Sequence, residues 1–132
     1  MKIRQLQLHD TKQVIEIWTS SFSRNFNNTL NPAYLNDPSS TTMVVCEGNT
    51  IIGVASMHII YKLSRTLGLI EDVAVNKDHR GKGIGKSLVE KLIEIGKQKN
   101  CDKIVLNTSE KNSKFYEKIG FEKNEIQMVI RN

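Results

Sequence analysis

The chain has 132 residues, 39% of them hydrophobic and 25% charged, which suits one globular domain spanning residues 1–132 with a core that needs no staples. Cys46 and Cys101 lie far apart with no CxxC pair, so a metal knuckle or redox motif has no support, and both read as reduced residues of a cytoplasmic protein. The net charge is +5, but bases alternate with acids, as in "EKLIEIGKQKNCDK"; this argues against nucleic acid and fits a solvated surface or a site for a small polyanion.

The opening "MKIRQLQLHD" holds no apolar run of signal-peptide length. The longest apolar-rich stretch, 51–61, is far short of the roughly 20 residues that cross a bilayer, so no membrane association is expected. Residues 3–8, "IRQLQL", alternate as a first strand, and "HDTKQVIEIW" starts a helix with Val14, Ile15 and Trp18 on one face. Residues 19–42 are rich in Ser, Asn and Pro; one short helix is expected there, with Phe22, Phe26, Tyr34 and Leu35 as anchors. "MVVCE" and "IIGVASMHII" flank a Gly-Asn turn as a hairpin, and "LIEDVAV" is the next strand. In "GIGKSLVEKLIEIGKQ", Ile84, Leu88, Leu92 and Ile95 form one stripe, the clearest helix in the chain. "KIVLNT" is a strand, "NSKFYEKIG" a short helix stopped at Gly120, and "IQMVI" a last strand. The order β-α-α-β-β-β-α-β-α-β implies an α/β mixed sheet flanked by helices, antiparallel in its first half with a parallel crossover later.

The chemistry concentrates around "RGKGIGKS", residues 80–87. A Walker loop would need glycine at position 80, where Arg80 stands, and a dinucleotide loop would need it at Lys86. The pattern Gln/Arg-x-x-Gly-x-Gly/Ala is met by Arg80, Gly83 and Gly85, between a strand and a helix. Backbone N–H groups at a helix start point at an anion, and Lys82 and Lys86 add charge. A plain tight connection is the alternative reading of the glycines alone.

With these residues the sequence resembles the GNAT superfamily of N-acetyltransferases. "NSKFYEKIGF" is similar to that family's second signature, at Asn112, Tyr116, Gly120 and Phe121. "GLIEDVAVNKDHRGKGIGK", "CDKIVL", "KNSKFYEKIGF" and "IQMVIR" further resemble the glucosamine-6-phosphate N-acetyltransferases, with Glu71-Asp72 the most specific part. The resemblance implies the GNAT fold, acetyl-CoA as co-substrate, no metal, and direct transfer of acetyl to the amine of D-glucosamine 6-phosphate, giving N-acetylglucosamine 6-phosphate for amino-sugar synthesis. It implies a pyrophosphate cradle of Arg80, Gly81, Lys82, Gly83, Ile84, Gly85 and Lys86, and a pantetheine arm paired with the backbone of Val73, Ala74 and Val75. Asn112, Phe115, Tyr116 and Lys118 would lie along the cofactor, with Tyr116 protonating the departing thiolate. That role suits a phenol, which is protonated at neutral pH.

Glu71 and Asp72 would sit at the amine, although strand alternation aims at most one of them straight at it. Lys103 and Arg131 would bind the sugar phosphate, with Asn107 beside the sugar and Lys62 and Arg65 as weaker candidates. A homodimer is implied, its C-terminal strand packed on or exchanged with the partner. Three departures bear on the acceptor: Asp102 stands where the family has an aromatic, Asn107 where it has an acid, and the link between the hairpin and "LIED", which in the family contributes sugar contacts, is shorter. Transfer to another amine (a polyamine, an aminoglycoside or a peptide N-terminus) and a non-catalytic acyl-CoA sensor are the competing expectations. His9, His58 and His79 have no spaced partners for metal.

Overall fold

The structure is a computed structural model that describes residues 1–22 and 31–132. Five strands form one sheet in chain order: β1 (Lys2–Gln5), β2 (Ser40–Glu47), β3 (Thr50–Tyr61), β4 (Thr66–Val75) and β5 (Lys103–Leu106). The first three pairings are antiparallel, and β4 pairs with β5 in parallel. The expected crossover is made by α3 (Ile84–Gln98). The other helices are α1 (Thr11–Phe22), α2 (Pro32–Leu35) and α4 (Glu110–Glu117).

Helices cover both faces of the central strands, which is why β2 and β3 read as nearly continuous apolar runs. On one face Met43, Val45, Ala55, Met57 and Ile70 pack with Leu88 and Leu92 of α3. On the other, Val44, Cys46, Val54 and Ala74 pack with Val14 and Ile17 of α1. The expected α3 stripe is present: Ile84, Leu88 and Leu92 are at most 3% exposed. The entry to α1 is pinned by Asp10, which is buried, accepts two hydrogen bonds from the Arg4 guanidinium at 2.7 and 3.0 Å, and takes the Gln7 N–H at 2.8 Å. The β2–β3 turn uses Gly48 at φ 60°.

The short helix expected within 19–42 is α2, a single turn capped by the Asn31 side chain. Phe26 lies outside the described residues. One expectation fails: "IQMVI" forms no strand, and Ile126, Met128 and Ile130 are about nine-tenths exposed. Alternating apolar residues supply a strand with a face, but not with a ladder partner, and among the described residues none pairs with this segment. Both cysteines are free thiols, Cys46 buried and Cys101 half-buried. Among the described residues no helix is long and apolar enough to cross a membrane.

Candidate active site

The site is built where β4 breaks its own regularity. Val54 of β3 pairs with Ala74, but Ser56 pairs with Glu71, so Ala55 alone stands opposite Asp72 and Val73. This is a β-bulge, and Asp72 takes φ 56° to make it. The bulge resets the alternation: Glu71 shares a face with Ala74, three residues on, and both look toward the α1 side. Trp18 of α1 braces the bulge by donating its indole N–H to the Asp72 carbonyl at 3.1 Å. The two carboxylates are thereby separated. Glu71 is half-buried, while the Asp72 side chain is exposed. Burial, and then the Asp72 charge, raise the Glu71 carboxyl above the ordinary range; His58 acts in the opposite sense.

Just before the bulge β4 loses a neighbour. Its pairing with β5 covers Leu67–Ile70 against Lys103–Leu106 and goes no further. From Glu71 to Val75 the pairing with β5 does not continue, and this fork leaves a backbone edge of β4 with no ladder partner on that side among the described residues. Val73 and Val75 turn their side chains to the α3-side core, so only their backbone serves that edge.

The end of β4 leads to the start of α3. A turn over Lys77–His79, opened by the Asn76 side chain accepting the Asp78 N–H, carries the chain from β4 to the loop. Gly81 and Gly83 both adopt φ 80°. Gly83 is the N-cap of α3 and supplies no side-chain cap; the first intrahelical bond runs from Ser87 N–H to its carbonyl. The amides of Ile84, Gly85 and Lys86 therefore point outward without helical partners, at the positive end of the helix dipole. Space in front of them is open: a Cβ on Gly81 or Gly83 would meet nothing within 4 Å. Lys82 and Lys86 are exposed at its rim. These features fit a pyrophosphate. Arg80 points elsewhere, donating from Nε to the Val75 carbonyl at 3.2 Å and reaching the Ser21 hydroxyl at 3.4 Å.

Helix α4 closes this end. Ser109 caps it, and its Phe115 ring lies 3.3 Å from the position a Cβ of Gly85 would occupy. Tyr116 stands edge-on to Phe115, with centroids 4.9 Å apart, and burial raises its phenol pKa above the ordinary value. Asn112, in the first turn of α4, and Lys118, at its C-cap, are both exposed. Tyr116 also lines a groove of about 690 Å³ along the outer edge of β5, together with Lys103, Leu106 and Phe121.

The proposed sugar ligands are scattered. Asn107 follows Leu106, the last paired residue of β5, which stands level with Ile70, the neighbour of Glu71 in sequence. Lys103 stands level with Leu67, four residues before Glu71, about 13 Å along the sheet at about 3.3 Å per residue. Arg131 lies in the exposed tail, as do its neighbours. Lys62 and Arg65 occupy the exposed β3–β4 turn. No cluster of metal-binding side chains occurs among the described residues.

Sequence reasoning passed over the polar floor beside Glu71. Ser40 and Thr42 of β2 stand opposite His58 and Ser56 of β3 and bond to them at 2.9 and 2.7 Å. Tyr34 of α2 bonds to Thr42 through its hydroxyl. The signal was available: "STT" and "SMH" place polar residues two apart in otherwise apolar strands.

A model of the GNAT acetyltransferase family matches residues 11–121. A glucosamine 6-phosphate N-acetyltransferase of Trypanosoma brucei brucei is 46% identical over 94 residues, covering 67% of this chain and 64% of that protein. One from Dictyostelium discoideum is 45% identical over 85 residues, covering 62% and 54%. The chain thus spans between half and two thirds of the length of these curated relatives. The crystal structure of glucosamine-6-phosphate N-acetyltransferase from Arabidopsis thaliana superimposes with a TM-score of 0.87 at 29% identity, over 98% of this chain and 97% of that one. A Trypanosoma brucei acetyltransferase structure gives 0.86 at 33% identity, over 99% of both chains. With the family match spanning most of the sequence and the sheet, fork and glycine loop in place, the chain belongs to the GNAT family of acetyltransferases.

Proposed function

We propose that the chain is one acetyltransferase domain that transfers acetyl from acetyl-CoA to the amine of D-glucosamine 6-phosphate, giving N-acetylglucosamine 6-phosphate for amino-sugar synthesis. The observation that carries the reading is the fork between β4 and β5, with Glu71 at its base and the uncapped start of α3 at its mouth. The names of the curated relatives support the acceptor.

In this reading the α3 amides, Lys82 and Lys86 hold the pyrophosphate, and the open edge of β4 from Val73 to Val75 takes the pantetheine arm as an added strand. The Val73 N–H holds the thioester carbonyl oxygen as charge develops there. Acetyl-CoA supplies the activated acyl group. The amine forms its C–N bond as the C–S bond breaks; Glu71 accepts the amine proton, and Tyr116 donates one to the thiolate. A raised Glu71 pKa favours that acceptance, and a raised Tyr116 pKa keeps the phenol loaded. Lys103 and Arg131 are the proposed phosphate ligands, with Asp72 and Asn107 toward the sugar. Two free thiols suit a reducing compartment such as the cytoplasm.

A homodimer is part of the proposal. The groove along β5 and the unpaired tail with its alternating apolar residues complement each other, so a tail from a second copy would pair with β5. This would also bring an arginine tail toward a neighbouring sugar site.

The deciding experiment is acetyl transfer against a panel of amines: glucosamine 6-phosphate, glucosamine, spermidine, an aminoglycoside and a peptide N-terminus. Turnover of glucosamine 6-phosphate at least tenfold above glucosamine, lost on Lys103→Ala or Arg131→Ala, is expected. Preference for a cationic amine with no effect of those changes would defeat the acceptor assignment.

A further inference from the structure

The residues beside Glu71 form a connected polar chain with a direction. Asp37, in the turn before β2, accepts from the Ser39 N–H at 2.9 Å, the Ser39 hydroxyl at 2.6 Å and the Ser40 hydroxyl at 2.9 Å. Those bonds, the Ser39 hydroxyl foremost, hold the Asp37 carboxyl below its ordinary range. A hydroxyl has a single proton, and Ser40 gives its own to Asp37. Toward His58 Nδ1, 2.9 Å away, the Ser40 oxygen can therefore only accept. Nδ1 must carry a proton, and Nε2 of the neutral ring is left with the lone pair.

The ring is fixed in orientation as well. Tyr34 of α2 stands edge-on to it, with centroids 6.0 Å apart and planes at 80°. His58 is directly opposite Leu69 on β4. Glu71 lies two residues further along the same face, a diagonal neighbour at about 7 Å between backbones. The charged and titratable groups facing the imidazole are thus Glu71 from β4, Asp37 through Ser40, and the Tyr34 phenol.

We propose that His58 is a positioning residue for acetyl transfer: it steadies Glu71 as the proton acceptor and carries the proton onward through Nε2. The amine proton passes to the Glu71 carboxylate and then to Nε2, giving an imidazolium flanked by Asp37 through Ser40. That proton is released to solvent before the next turnover, while Tyr116 separately supplies the thiol proton, so no further reactant is required. This rests on Glu71 being the acceptor in the reading above.

His58→Asn tests it, because the Asn amide can keep the bond to Ser40 while removing the titrating nitrogen. The expected result is a fall in kcat of about tenfold or more, with KM for acetyl-CoA unchanged. The acid limb of kcat/KM should move to higher pH, since the variant lacks the imidazole, which acts to lower the Glu71 carboxyl. An unmoved limb, or an equal loss at every pH, overturns the proposal. Nitrogen NMR of the imidazole in the free protein decides independently of any acceptor. An Nδ1–H tautomer is expected in the wild type and blurred in Ser40→Ala. An Nε2–H ring overturns it. A wild type inactive on glucosamine 6-phosphate would defeat the acceptor assignment instead, leaving the NMR result to judge His58.

Discussion

Replacing Gly83 by alanine separates backbone conformation from cofactor binding. A Cβ there would meet no atom within 4 Å, so sterics with neighbours contribute nothing. The cost is the left-handed conformation at φ 80°, about 1–2 kcal/mol for a residue with a side chain. Alanine also restricts the unfolded chain, which offsets about 0.5 kcal/mol. The net loss of about 1 kcal/mol should lower Tm by roughly 3–5 °C for a chain of this size. Gly48, at φ 60° in the β2–β3 turn and equally open, is the matched control. Gly48→Ala should lose similar stability, with affinity for coenzyme A unchanged. Gly83→Ala should also weaken that affinity about tenfold or more, because relaxing the strain re-aims α3 amides whose bonds to an anion are worth about 1.5–3 kcal/mol each. The assays are thermal unfolding and calorimetric titration with coenzyme A. If Gly83→Ala binds coenzyme A as the wild type does while its Tm falls, the amides of α3 are not the anion site.

Tyr116→Phe keeps the ring packing against Phe115 and Phe121 and removes only the hydroxyl. Turnover should fall about 100-fold or more with acetyl-CoA affinity intact, read from steady-state kinetics and titration. Glu71→Gln should lose turnover yet raise Tm at neutral pH. The folded-state pKa of Glu71 is raised, so the folded protein holds a proton the unfolded chain has released, and stability falls as pH rises from the unfolded value through the folded one. Tm against pH for the variant should lack that decline. Asp10→Asn breaks the buried pair with Arg4 and should cost about 3 kcal/mol in urea unfolding. The Asp10 pKa is depressed, chiefly by the Arg4 hydrogen bonds, so this stability is present above the unfolded carboxylate value and lost as pH falls through the folded one. The gap between wild type and variant should close in acid.

Period and composition made most of the fold legible. The α3 stripe, the hairpin about Gly48 and the alternation in β4 are local signals, and each appears within a few residues of its expected bounds. The tail was misread because "IQMVI" has a strand's face without a strand's neighbour, and a neighbour is never written in the segment itself. At the site, the glycine loop was legible because close approach to an anion demands particular residues at fixed spacing. The bulge at Asp72 was not, since an extra residue in a ladder shows only against the partner strand. His58 was missed for a related reason: it was weighed as a metal ligand, while its partners Ser40 and Asp37 sit on another strand and turn.

The bulge makes β4 sensitive to length in a way its composition conceals. Its two halves are out of phase by one residue, so each can present its own set of side chains to the α1 face. Removing one residue between Glu71 and Ala74 would restore a perfect ladder and straighten the strand. It would also displace the Asp72 carbonyl that Trp18 grips and undo the offset that puts Glu71 and Ala74 on one face. A single-codon deletion there, silent to any scale of hydrophobicity, would leave a better-formed sheet without the offset that sets Glu71 beside Ser56.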